Sequence, residues 1–78
     1  LRYDERQTVR QVLAGLPPRQ AGLLLLRHAG LTYRELAEVL DVVPGSVGTL
    51  LARATAAFEQ AYRAEAVGLE QGEEWLDG

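Results

Sequence analysis

The sequence predicts an all-α domain of four helices whose last two form a helix-turn-helix. Three observations predict it. Leu31 to Ala54, LTYRELAEVLDVVPGSVGTLLARA, reads as a helix, a tight turn and a second helix. Thr32 followed by Glu35 at the third position after it is the signature of a capping box, which marks a helix start. Pro and Gly divide the preceding chain into two further helical pieces, at Gly15, at Leu16-Pro17-Pro18 and at Gly30.

The first helix is expected from Asp4 to about Ala14, with Val9, Val12 and Leu13 on one face and Leu16 just beyond. Arg2, Arg6 and Arg10 recur every four residues on another face, which reads as solvated. Gly15 stops this helix, and a Pro in the first turn opens the second, which runs to about Ala29. Leu23, Leu24, Leu25 and Leu26 make it apolar nearly all round, so it is expected to be the most buried. Gly22 inside it costs about 1 kcal/mol relative to Ala, for which close helix packing is one reason. Gly30 is placed to close the helix in the left-handed conformation. His28, the single histidine, sits where its charged form would favour the helix C-terminus.

The third helix spans Tyr33 to Leu40, with Leu36, Ala37, Val39 and Leu40 as its apolar stripe. Asp41-Val42-Val43 is a turn. Pro44 suits the first position of the fourth helix, because its missing N–H would be unpaired there anyway. That helix runs to about Ala64 or slightly further, with residues 47, 50, 51, 54, 58, 61 and 62 on one side. Gly68 and Gly72 then bracket the acidic piece LEQGEEWLDG, whose Leu69, Trp75 and Leu76 are candidates for docking on the domain or on a partner helix.

Composition narrows the function classes. Seventy-eight residues make one domain near the lower size limit for folding without staples. There is no cysteine, hence neither a disulfide framework nor a thiolate metal site, and the cytoplasm is the expected compartment. The longest apolar run, Leu23 to Leu26, falls far short of the roughly 20 residues that span a bilayer. A chain that opens on Leu1 and holds no Met reads as a fragment of a longer protein. No paired carboxylates, nucleophile–base set or phosphate-cradling glycine loop is present, so neither an enzyme nor a cofactor is expected. Net charge is −3, unlike a free-standing nucleic-acid binder. The charge is uneven, at +4 over residues 1–34 and −7 over residues 35–78, and all eight basic residues are Arg.

Two helices joined by about three residues form the motif whose second helix commonly enters the DNA major groove. Here the outward positions of that helix are small: Gly45, Ser46, Gly48, Thr49, Ala52 and Ala56, with Arg53 as the early charge. Small side chains let a helix lie deep in a groove, and they remove most groups that could read bases.

From LPPRQ through the Leu-rich run ending in Arg27, then GLTYRELAEVL and VPGSVGTLLARA, the chain resembles the promoter-binding region four of sigma-70-type RNA polymerase sigma factors. The extracytoplasmic-function group is the nearest match, and the resemblance covers about residues 9–62. It implies a fold of the winged-helix-like, sigma region-four type and binding to the promoter element around minus 35. It also implies docking on the β-subunit flap of core polymerase, an anti-sigma partner in many members, and a monomer within holoenzyme, with no membrane contact. Carried over by position, Gly48, Thr49, Ala52 and Arg53 face bases, while Thr32, Tyr33, Arg34, Gly45 and Ser46 face the DNA backbone. Helix N-termini with free N–H groups suit phosphate at both places. The chain departs from the family at Val43, where Ser or Thr is usual, and at Gly48 and Ala21, where basic residues are common.

Residues 1–66 are therefore expected to form the region-four-like domain and 67–78 an acidic C-terminal tail. The alternative from another class is a sigma-like protein-interaction domain, binding anti-sigma protein or polymerase with little autonomous DNA binding. A LuxR-type response-regulator domain matches at LTYRE only, because VVPGSVG follows at once where that family inserts another helix.

Overall fold

The computed structural model describes residues 3–77, with side chains described for residues 3–67. Four helices form in the expected order: α1 (Tyr3–Gly15), α2 (Pro18–His28), α3 (Tyr33–Leu40) and α4 (Val47–Asp77). A 3₁₀ turn, Pro44–Ser46, precedes α4. No strand occurs among the described residues.

Helix boundaries follow local chemistry. Pro18 opens α2 after Pro17, in the extended conformation that the residue before a proline favours. Gly30, at φ +104°, closes it, and Leu31 donates its N–H to the Leu26 carbonyl at 3.2 Å. At the end of α3, Asp41 takes the left-handed conformation (φ 57°, ψ 50°), a role that sequence reasoning gave to no residue. The left-handed region costs a β-carbon residue energy, and a short polar side chain tolerates it best. Val42 then donates to the Ala37 carbonyl at 3.0 Å and completes the turn.

The core gathers Leu23 of α2, Leu36 and Ala37 of α3, and Val47, Leu51 and Ala54 of α4. Leu24, Leu26, Leu31, Leu40, Val42 and Leu50 pack around it. α4 is the common partner, packing chiefly against α1 and α2. Its predicted apolar side holds: residues 47, 51 and 54 are buried, and 50, 58, 61 and 62 are half-buried. The rings of Phe58 and Tyr62 stack at 5.9 Å. In α1, Val12 is buried together with Thr8, whose hydroxyl donates to the Asp4 carbonyl at 2.9 Å. Arg6 and Arg10 stand exposed, as the row of arginines suggests.

Several expectations are corrected. α2 is buried along one edge only. About 100° per residue separates successive side chains, so with Leu23 in the core Leu25 points the opposite way and is 54% exposed. Gly22 has no neighbour within 4 Å of where a β-carbon would stand, so close packing does not explain it. Val39 is 60% exposed. It lies about 160° around the helix from buried Ala37, too far for both to share the core face. Pro44 begins a 3₁₀ turn rather than the α-helix, which starts at Val47. α4 continues to Asp77 instead of ending near Ala64. The proposed docking of Leu69, Trp75 and Leu76 falls outside the described side chains.

Candidate nucleic-acid interface

The first half of the interface is the N-terminus of α3. Thr32 sits in extended conformation, and its hydroxyl accepts the Glu35 N–H at 3.1 Å. The Glu35 carboxylate accepts the Thr32 N–H at 2.9 Å, so the predicted capping box is complete. These hydrogen bonds, the backbone one first, hold the Glu35 carboxyl below its ordinary value of 4.5. A carboxyl lowered on folding stabilises the native state above its unfolded pKa, and that contribution is lost as pH falls through the lowered folded value. The Glu35 contribution to stability should therefore be full well above pH 4.5 and decline as pH falls past it, read by circular dichroism as the difference between wild type and a Glu35 variant. Glu35→Gln keeps the capping geometry and should remove this part of the acid transition. An unchanged acid transition would exclude Glu35 as its source.

Beside the cap, Tyr33 and Arg34 are exposed. The Arg27 guanidinium, from the last turn of α2, lies 5.3 Å above the Tyr33 ring. Its Nη1 also donates to the Leu31 carbonyl at 2.8 Å. At its edge, Tyr33 Cε2 stands 3.8 Å from the position of a β-carbon on Gly48. Tyr33 thus lies between the end of α2 and the start of α4.

The second half is the entrance to α4. Val43 caps it without a side-chain hydrogen bond and is 68% exposed. The Ser46 N–H is satisfied locally by the Val43 carbonyl at 3.0 Å, and the Val47 N–H by the Pro44 carbonyl. An apolar residue here forgoes about 1 kcal/mol that Ser, Thr or Asn would contribute. Gly45, Gly48, Thr49, Ala52 and Arg53 are exposed, and Ser46 is half-buried. The alternation has one cause: Val47, Leu51 and Ala54 turn into the core and force their neighbours outward.

Arg53, Ser46 and Leu50 also line a groove of about 440 Å³, whose opposite wall is Pro17, Arg19 and Gln20 at the start of α2. Arg19 and Arg53 therefore rim one depression. Sequence reasoning missed this pairing, since the two lie far apart in the chain. The signal available was the Arg beside Pro18 at a helix start. Among the described residues, no group of three or more His, Cys, Asp or Glu is arranged to hold a metal. No helix there is long and apolar enough to cross a membrane.

Residues 6–57 match the family described as Sigma-70, region 4. The chain belongs to this family. The matched span runs from the first half of α1 through the helix-turn-helix to the middle of α4. No curated protein and no solved structure matches the chain. Sigma region 4 is a DNA-binding regulatory domain rather than an enzyme family, and it serves sigma factors in promoter binding at the minus 35 element together with the RNA polymerase core. In this region 4 domain the sequence-assigned residues fall in two clusters, Thr32 to Arg34 at the start of α3 and Gly45 to Arg53 at the start of α4. Tyr33, beside Gly48, joins them.

Proposed function

We propose that this region 4 domain is the promoter-reading part of a sigma factor of the extracytoplasmic-function type, working as a monomer within cytoplasmic holoenzyme. The supporting observation is the exposed, small-residue face of Gly45, Gly48, Thr49 and Ala52 at the start of α4, next to Arg53 and beside the capped N-terminus of α3. Gly48, Thr49, Ala52 and Arg53 would lie against base edges. Thr32, Tyr33, Arg34, Gly45 and Ser46 would lie along the sugar-phosphate backbone. Core polymerase binds through its β flap, and an anti-sigma protein covers these surfaces in the resting cell. Residues 1–66 form the reading unit, and residues 67–78 form an acidic tail.

Few charges serve this surface. Each phosphate neutralised on duplex DNA contributes about 0.9 to the slope of log affinity against log salt. Arg34 is the cation among the backbone-facing residues, so a slope of about −1 is expected, with weak binding by the chain alone. Holoenzyme compensates by tethering, which raises the effective concentration of the domain at the promoter. Fluorescence anisotropy with a promoter duplex over a salt series checks this. Gly45→Arg, at an open backbone-facing position, should steepen the slope by about one. A steep slope with nanomolar affinity for the unmodified chain would contradict the reading.

The near-neutral reading face favours one other function, a region 4 domain kept for protein contacts. Footprinting of holoenzyme separates the two. Protection around minus 35 supports promoter reading, and polymerase or anti-sigma binding without protection supports the interaction domain.

A further inference from the structure

We propose that Arg27 is a positioning residue for promoter binding, acting by locking Tyr33 between α2 and the recognition helix rather than by touching DNA. The inference rests on the reading of Tyr33 as DNA-facing.

Arg27 lies outside both assigned clusters, and charge alone would make it one more phosphate contact. Its geometry says otherwise. One arm of the guanidinium is engaged by the Leu31 carbonyl at 2.8 Å, across the left-handed Gly30. The guanidinium carbon lies 5.3 Å from the centroid of the Tyr33 ring, over its face. The connection from α2 to α3 is only four residues long, and this one side chain bridges it from Arg27 to Tyr33. Tyr33 Cε2 stands 3.8 Å from where a β-carbon on Gly48 would lie, an ordinary packing distance, so the ring also sits beside the start of α4. Arg27 over Tyr33, with Gly48 beside the ring edge, therefore links the end of α2 to the N-termini of both motif helices. Tyr33 remains 47% exposed, so the ring is held but not hidden. An Arg fork suits this double duty. It donates in its plane while its face covers an aromatic ring, which an ammonium cannot do.

The test is a double-mutant cycle on minus 35 binding, in holoenzyme assembled from core polymerase and the sigma factor carrying this domain. Arg27→Gln should weaken binding about threefold to tenfold, the scale of an exposed cation–π contact and a charged hydrogen bond. In a Tyr33→Leu background, Arg27→Gln should have no further effect, and the salt slope should stay that of the wild type. On the free chain, the NMR signals of the Arg27 side chain should lose their ring-current shift in Tyr33→Leu. Additive effects, with the slope reduced by about 0.9, would make Arg27 a direct phosphate contact and overturn the proposal. So would unchanged affinity in Arg27→Gln. If Arg27→Gln melts below the assay temperature, Arg27→Lys is read through the same cycle, since it keeps the charge but cannot serve carbonyl and ring together. Wild-type holoenzyme that fails to protect the minus 35 region would overturn the promoter reading itself, and this proposal with it. Failure of the variants beside a normal wild type overturns the proposal alone.

Discussion

Leu36→Ala is expected to leave the domain largely unfolded near body temperature. Leu36 is fully buried where α2, α3 and α4 meet. Truncating a buried Leu costs about 2–5 kcal/mol, the upper end applying where surrounding structure cannot collapse into the space. Here the neighbours are Leu23, Ala37, Val47, Leu51 and Ala54, drawn from three helices that cannot all shift inward. At roughly 0.05–0.15 kcal/mol per residue, a 78-residue chain has little more stability than that to lose. Thermal unfolding followed by far-UV circular dichroism measures it. Leu36→Met, which conserves volume, should cost less than about 1.5 kcal/mol. A Leu36→Ala protein melting within a few degrees of the wild type would mean that the core lies elsewhere.

Arg53→Ala carries the largest functional effect. Arg53 is the one charged side chain among the four proposed base-facing residues, and it is exposed. A good bidentate contact to a guanine edge is worth about 1–3 kcal/mol of discrimination, roughly five- to a hundredfold. Promoter selectivity should fall by that factor while the melting temperature stays put. Binding to promoter and unrelated duplexes, measured side by side, decides the role. A uniform loss on both duplexes would reassign Arg53 to the phosphate backbone, with Arg19 across the groove as its natural companion. Transcription equal to wild type would remove Arg53 from the interface.

The helix-turn-helix was legible because its signals are local. Thr32 and Glu35 satisfy each other within one turn, and Gly30 adopts the conformation that glycine alone enters freely. The core positions Leu36, Val47, Leu51 and Ala54 follow from helical spacing. Misreadings arose where the answer depends on a neighbour. Four consecutive leucines cannot show which edge of α2 meets α4, and Val39 qualifies as core until Ala37 is known to be buried. Asp41 carries no sign that it would turn left-handed, since Asp serves equally as a solvated charge. For the interface, sequence placed the assigned residues on helix starts and outward faces. The placement of Arg27 over Tyr33 beside Gly48 and the pairing of Arg19 with Arg53 across a groove are products of tertiary geometry.

The buried cluster is drawn entirely from α2, α3 and α4; α1 contributes Val12 and Thr8 outside it. This division is expected to make α1 the less stable layer of the domain. Regions with fewer buried apolar contacts open at lower free energy than the global transition. α1 can detach from α4 by exposing Val12 and its half-buried neighbours Val9 and Leu13, while the leucine and valine cluster beneath the helix-turn-helix stays closed. Amide protons of α1 should then exchange by sub-global opening, ahead of those in α3 and the first turns of α4. The helix-turn-helix is then expected to keep its shape through fluctuations that strip away α1.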